Sequence, residues 1–338
     1  MSDFPFVILA LGFLSAGAGL AQGQPEVQKH MSLYNRPNAV PYPEHNAYSP
    51  AREKLGHVLF FDPRLSASDW ISCATCHNPG LSWGDGLPKA KGHGMQTLAR
   101  RTPTILDAAW MKSLFWDGRA ETLEEQAVGP IQAAGEMALP LAEMVGKLNR
   151  IDGYKPLFAA AYPGEGISEK TVAKAIATYE RAASVSTEAP FDRWIKGEKQ
   201  AISSAARRGF VLFNAKAACS RCHSGWRLTD DSFHDIGVAG DDKGRGALFP
   251  DIEVNQFAFK TPTLRNVAWR APYMHDGSEA TLADVIEFYN VGGREKRASL
   301  STLIRPLNLT EQERKELLEF LETLSSPVQK TEIPMLPK

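Results

Sequence analysis

Apolar and polar residues alternate along several stretches of this chain with the period of a helix that buries one face. ISEKTVAKAIATYERA sets its apolar residues at about 3.6 spacing behind Ser168, a serine suited to cap a helix start. LTEQERKELLEFLETL repeats the pattern near the end and opens with Thr310 and Glu313, the spacing of a capping box. Two further segments, REKLGHVLFFDPRLSASDWISCATCH and ARRGFVLFNAKAACSRCH, each place a short amphipathic stretch with a V-L-F core ahead of a pair of cysteines. Period-two alternation is scarce, so the expected fold is all-α. At the start, FPFVILALGFLSAGAGLAQG runs apolar and then small, which reads as an export signal over 1–21, cut after Ala21 with Gly19 at the −3 place. Asp3 and the lack of Lys or Arg ahead of the apolar run leave an uncleaved membrane anchor as the alternative. Residues 22–50, rich in Pro, Asn, Tyr and Gln, read as an extended arm rather than a helix.

The pattern also repeats on a longer scale. TPTILDAAWMKSLFWDGRAETL, starting at Thr102, and TPTLRNVAWRAPYMHDGSEATL, starting at Thr261, agree at nine of 22 positions without a gap, 159 residues apart. Each follows one of the cysteine pairs. The chain therefore reads as two related domains, 51–190 and 191–338, joined near STEAPFDRWIKGEK.

Composition supports two domains and narrows the partners. The 338 residues suffice for about two ordinary cores. With 38 basic against 39 acidic residues, no global field recruits nucleic acid or an anionic membrane surface. After signal cleavage no membrane association is expected.

The four cysteines carry the chemistry. Cys73 and Cys76 lie in CATCH, Cys219 and Cys222 in CSRCH, and the two Cys-x-x-Cys-His motifs use every cysteine. In this motif both thiols form thioethers to haem vinyl groups and the adjacent histidine ligates the iron. A zinc site, the alternative, calls for more ligands at metal spacing. Two covalently bound haem c groups are the expected cofactors, with His77 and His223 as proximal ligands.

A c-type domain offers its iron a second axial ligand from the chain beyond the motif. Counted 28 residues from the start of each repeated segment, the second copy reaches Tyr289 and the first reaches Pro130. One distal position then carries a phenol and the other a side chain that cannot coordinate. The first haem is expected to be open to a small molecule and the second closed. Within the repeat, His275 stands opposite Trp116.

LFFDPRLS, RTPT, FWDGRAETLEEQAVGPI, GEMALP, FHDIG, TPTLRNVAWRAPYMHDG and EFYN, in this order with the two motifs, resemble the bacterial dihaem cytochrome c peroxidase/MauG family over residues 50–325. Tyr289 resembles the MauG branch and its methanobactin-associated relatives, where a tyrosine ligates the second haem; the peroxidase branch has methionine. The resemblance implies an exported, periplasmic enzyme that uses hydrogen peroxide to form a high-valent dihaem state. It would then oxidise aromatic side chains, tryptophans above all, of a secreted or periplasmic partner protein. It further implies that Gln126 and Glu136 belong to the distal pocket beside Pro130, and that Trp116 lies between the haems as a relay. A surface carboxylate and a core tryptophan are the plain alternatives for Glu136 and Trp116. Met274 is the nearby competitor of Tyr289, since Met335 lies at the extreme C-terminus.

Three features depart from the resemblance or extend it. His93 sits ten residues before Pro103, the spacing at which the peroxidase branch carries a loop histidine able to cap the first haem; a solvated loop histidine is the alternative. Family members bind calcium between the haems through an Asn just before TPT and two backbone carbonyls. Here the Asn is Arg101, which has no lone pair to give and adds positive charge. The carbonyls of Arg270 and Pro272 remain as oxygens. The surface tryptophan that the MauG branch carries two places before the second motif is Ala217 here, which leaves Trp226 and Trp269 as exits for an oxidising equivalent. The competing functions are a cytochrome c peroxidase drawing electrons from a small cytochrome or cupredoxin, and a non-catalytic dihaem electron carrier.

Overall fold

The computed structural model describes residues 31–328 and 330–338; the expected export signal and the first part of the arm lie outside the described residues. Among the described residues ten α-helices carry the fold: α1 (Pro50–Phe61), α2 (Cys73–Cys76), α3 (Leu123–Gln132), α4 (Leu141–Asn149), α5 (Tyr154–Ala161), α6 (Glu169–Ala183), α7 (Pro190–Ile195), α8 (Ser204–Asn214), α9 (Leu282–Asn290) and α10 (Glu311–Glu322). Among the described residues the only sheet is an antiparallel pair of two-residue strands, β1 (Phe233–His234) and β2 (Phe259–Lys260). The caps fall where the sequence placed them. Ser168 accepts from the Thr171 N–H ahead of α6, and Thr310 and Glu313 bond reciprocally at the start of α10.

Two cores form, one per copy of the repeat. The first packs α1 against α6, with Leu55, Leu59 and Phe60 meeting Val172, Ile176 and Tyr179. The second packs α8 against α10, with Phe210 and Phe213 against Phe320 at 5.5 and 5.0 Å between ring centres. Burying each such side chain contributes about 1.5–3 kcal/mol. Both crossings depend on a glycine. A Cβ on Gly56 would lie 1.9 Å from the Ala175 carbonyl oxygen, and one on Gly209 would lie 2.0 Å from that of Glu316. These glycines open the matching segments GHVLFF and GFVLFN, so each cysteine motif hangs from the same kind of close helix crossing.

The described part of the arm and the C-terminal tail each pack on the other domain's core. Tyr34 of the arm is buried in the second core, edge-on to Phe191 at 5.3 Å. The C-terminal tail, grouped with the second domain on sequence, packs instead on the first. Pro337 O accepts from Arg64 at 3.0 Å, Lys338 O from Gly153 at 2.9 Å, and Leu336 lies against the first core. No helix among the described residues is long and apolar enough to cross a membrane.

Candidate functional site

Ser72 and Thr75 close a capping box around α2, so Cys73, Cys76 and His77 leave a single helical turn. The second motif forms a 3₁₀ turn over Cys219–Arg221, with Cys222 and His223 directly after it. None of the four cysteines is in a disulfide that would compete for it. His77 Nδ1 lies 3.2 Å from Trp83 O, and His223 Nδ1 lies 2.9 Å from Leu228 O. A carbonyl only accepts, so each Nδ1 carries the proton and each Nε2 keeps its lone pair for a metal. Burial lowers both imidazole pKa values and holds the rings neutral.

A cavity of about 950 Å³ opens beside the first motif, at the upper end of the range for cofactor sites. Cys73, Cys76, His77, Gln126, Pro130 and Glu136 all face it. Thr122 caps α3 by accepting from the Glu125 N–H, and the helix then presents Gln126 and Pro130 one turn apart on the cavity side. The chain folds back after α3, with Met137 N–H donating to Pro130 O at 3.1 Å, and this return brings Glu136 to the wall. Burial raises the Glu136 carboxyl above the ordinary carboxylate range, partly offset by the Arg119 guanidinium. His93 lies behind this wall. Its backbone N–H donates to the Gly135 and Glu136 carbonyls at 3.2 and 2.7 Å, and its Nδ1 is buried without a partner. Lys91 and Gly92 line the cavity beside Glu136; His93 does not.

In the second copy, α9 follows a Thr281–Asp284 capping box, and its eighth residue is Tyr289. Pro130 is the eighth residue of α3. The Tyr289 hydroxyl is pushed up, first by burial and then by the neighbouring Cys219 and Cys222 thiols. Thioether formation would remove the thiol contribution, and a bound metal cation would reverse the burial effect. Met335 is 94% exposed on the tail, out of contention as a ligand; Met274 holds a left-handed loop position two residues from Pro272.

Between the copies, Trp116 is buried, and its indole N–H donates to Arg101 O at 2.8 Å. Its ring meets His275 edge-on at 6.4 Å, and His275 stacks on Phe259 at 3.6 Å. Burial lowers His275 to about 4, so this imidazole is neutral. Trp226 meets Trp110 edge-on at 4.9 Å under the Arg36 guanidinium, whereas Trp269 is half-exposed with its indole on Ser326 O.

The donor sets fit haem c and do not fit calcium. Two cysteine sulfurs and a ligand-ready imidazole meet at each motif, and the first set adjoins a cofactor-sized cavity. Arg101 and Arg270 are buried in that cavity wall without an ion-pair partner among the described residues, and Arg101 Nε has no hydrogen bond. The carboxylates that every haem carries would answer that charge. The calcium set fails, because Arg270 O, one of its expected oxygens, accepts a hydrogen bond from the Arg101 guanidinium.

Some residues at the site carried no role in the sequence reading. Glu180 reaches the cavity beside Cys73 from α6, buried with one oxygen unpaired, and burial lifts its carboxyl to about 8. Its place within a regular helical stripe concealed it. His234, in the FHDIG stretch, lies against Asp230 at 3.1 Å and near Cys222; the Asp230 hydrogen bond is the first reason its pKa rises to about 10. Cys222, Asp230 and His234 approach metal-binding spacing, but Cys222 already belongs to the second motif.

Residues 50–200 match the model of the di-haem cytochrome c peroxidase family, and residues 206–325 match that of cytochrome c. The methylamine utilization protein MauG of Methylorubrum extorquens is 48% identical over 95% of this chain and 92% of its own length. The cytochrome c551 peroxidase of Pseudomonas aeruginosa is 33% identical over 98% of this chain and 95% of its own. A crystal structure of a MauG-like protein associated with microbial copper homeostasis superposes with a TM-score of 0.80 at 32% identity, covering 87% of this chain and 95% of that one.

Proposed function

The chain belongs to the dihaem cytochrome c peroxidase/MauG family and is an oxidoreductase acting with hydrogen peroxide on two covalently bound c-type haems; within that family, we propose that it oxidises tryptophan side chains of a partner protein in the periplasm. The observation that carries the reading is the pairing of Pro130 and Tyr289 at one position of matching helices.

In this reading Cys73, Cys76 and His77 hold the first haem, and Cys219, Cys222, His223 and Tyr289 hold the second. When bound, the haem irons supply the redox chemistry that no side chain here can. The Pro130 side chain offers neither donor nor lone pair, so it would leave the cavity beside the first motif free for peroxide. One peroxide becomes two waters by taking up two electrons and two protons, and the partner supplies both. Glu136, its carboxyl raised by burial, shuttles a proton between the two peroxide oxygens at its Oε atoms. The Gln126 carboxamide orients the peroxide from the same wall. Trp116 carries oxidising equivalents between the domains, its indole held by Arg101 O. Tyr289, as a phenolate, is a hard anionic donor that favours the oxidised side of the second centre, where a soft thioether would favour the reduced side.

The 48% identical relative is named for methylamine utilization, and we extend that setting to this chain: its partner is a protein of methylamine oxidation. The 33% identity to a cytochrome c551 peroxidase favours a second reading, in which a small cytochrome or cupredoxin supplies the electrons. The test is to incubate holoenzyme, peroxide and the partner, and to follow the partner's tryptophan peptides by mass. Oxidative mass changes that need both enzyme and peroxide support the first reading. An unchanged partner, with rapid peroxide consumption by a reduced small cytochrome, supports the second.

A further inference from the structure

The repeat places Arg101 opposite Lys260 and Trp116 opposite His275, and the two copies use these residues on each other. Arg101 N–H donates to His275 O at 2.7 Å; Lys260 N–H donates to Trp116 O at 2.8 Å. The side chains follow the same rule. The Arg101 guanidinium donates to Arg270 O in the second copy, and Lys260 Nζ donates to Ser113 O in the first at 2.7 Å, with Met111 Sδ at 3.5 Å. Arg270 and Met111 are themselves repeat partners. The interface between the haem domains is thus a near-two-fold clasp, with one cation reaching across in each direction.

We infer that Arg101 is a positioning residue that takes the place of the family's interdomain calcium, so that this protein couples its two haem domains without a metal ion. A calcium ion gathers roughly six to eight oxygens. Here Arg270 O is taken, the side chain before TPT has no oxygen, and two buried guanidiniums, Arg101 and Arg270, would repel a divalent cation. Arg101 also does what a bridging ion does. It ties its own segment to Arg270 and His275 through side chain and N–H, while its carbonyl holds the Trp116 indole at 2.8 Å. A fixed covalent cation keeps that indole in place whatever the calcium concentration. The consequence for haem-to-haem transfer rests on the relay role proposed for Trp116; the metal independence does not.

The experiment uses purified holoenzyme without a partner protein, so its outcome stands apart from that of the tryptophan-oxidation reading. Calcium content is measured by elemental analysis, and both haem midpoint potentials and the ferric EPR spectrum are recorded before and after EGTA and then with added calcium. The expected result is substoichiometric calcium and no change in either readout. Arg101→Asn restores an oxygen ligand and removes the competing cation. It should retain about one calcium per chain, with potentials that shift on chelation and return on re-addition, while Arg101→Lys should stay indifferent to both. Stoichiometric calcium in the wild-type holoenzyme, removed by EGTA with a change in potentials or spin state, overturns the inference whether or not either variant folds. So does a folded Arg101→Asn protein that neither gains calcium nor alters its potentials.

Discussion

Pro130 and Tyr289 sit at the eighth position of α3 and α9, helices opened alike by a capping threonine, and the two haem domains diverge most sharply there. Around these positions the copies agree: a glycine-dependent helix crossing, a turn bearing two cysteines, and a histidine whose Nδ1 is tied to a nearby carbonyl. What differs is what each domain puts on the far side of its motif. The first has a ring that cannot coordinate and a cavity with a carboxamide and a raised carboxyl; the second has a half-buried phenol beside its cysteines, its hydroxyl raised by burial. A second contrast lies at Trp116 and His275, where the first copy supplies an oxidisable indole and the second a neutral imidazole. The two scaffolds are alike, and the substitutions at these positions set their far sides apart.

Erasing the phenol should have the largest effect. Tyr289→Met keeps a ligand at the second centre but exchanges a hard anion for a soft neutral thioether, which raises the reduction potential. Partner oxidation should disappear while peroxide reduction by an external electron donor rises. Potentiometry and the partner's tryptophan mass change, read on the same preparation, check this, and native partner kinetics with an unshifted potential would remove Tyr289 from the account.

Next comes the open side. Glu136→Gln removes the proton shuttle but keeps the shape, so the reaction with peroxide should slow by about 10²–10⁴-fold. Stopped-flow mixing measures the rate; a slowing of less than threefold would return Glu136 to an ordinary half-buried carboxylate. Trp116→Phe should have a more selective effect, since it deletes both the oxidisable ring and its hydrogen bond to Arg101 O. Both haems should stay bound, and spectral change after peroxide should be confined to the first. Simultaneous change at both haems, at the native rate, would reduce Trp116 to core packing.

The smallest effects test sameness rather than difference. Gly56→Ala and Gly209→Ala each drive a methyl into a facing helix backbone and should cost about 1–3 kcal/mol. If the scaffolds are equivalent, the two losses in denaturant stability agree; a large loss at one site alone would show that the crossings are not equally tight.

How much of this was legible in the sequence depended on how local each signal was. The cysteine and histidine positions were fully readable, because thioether attachment demands its residues within five consecutive places. Placing Tyr289 opposite Pro130 needed only counting, since the repeat runs without a gap into both helices. Gly56 and Gly209 were visible in the matching segments but mean nothing until the partner helix is known. The tail that returns to the first domain, and the reach of Arg101 to Arg270 O, depend on contacts across most of the chain, and no periodicity announces them. Glu180 shows the opposite failure: the helical stripe around it was read correctly, yet its position facing the cavity emerged only from packing.

Low-temperature EPR on the ferric holoenzyme, beside its Tyr289→Phe variant, distinguishes an open first haem and a tyrosine-closed second one from every alternative pairing of ligands. One high-spin and one low-spin signal are expected in the wild type, and loss of the low-spin signal in the variant. Two low-spin signals in the resting wild type, or a low-spin signal that survives Tyr289→Phe unchanged, would contradict this pairing.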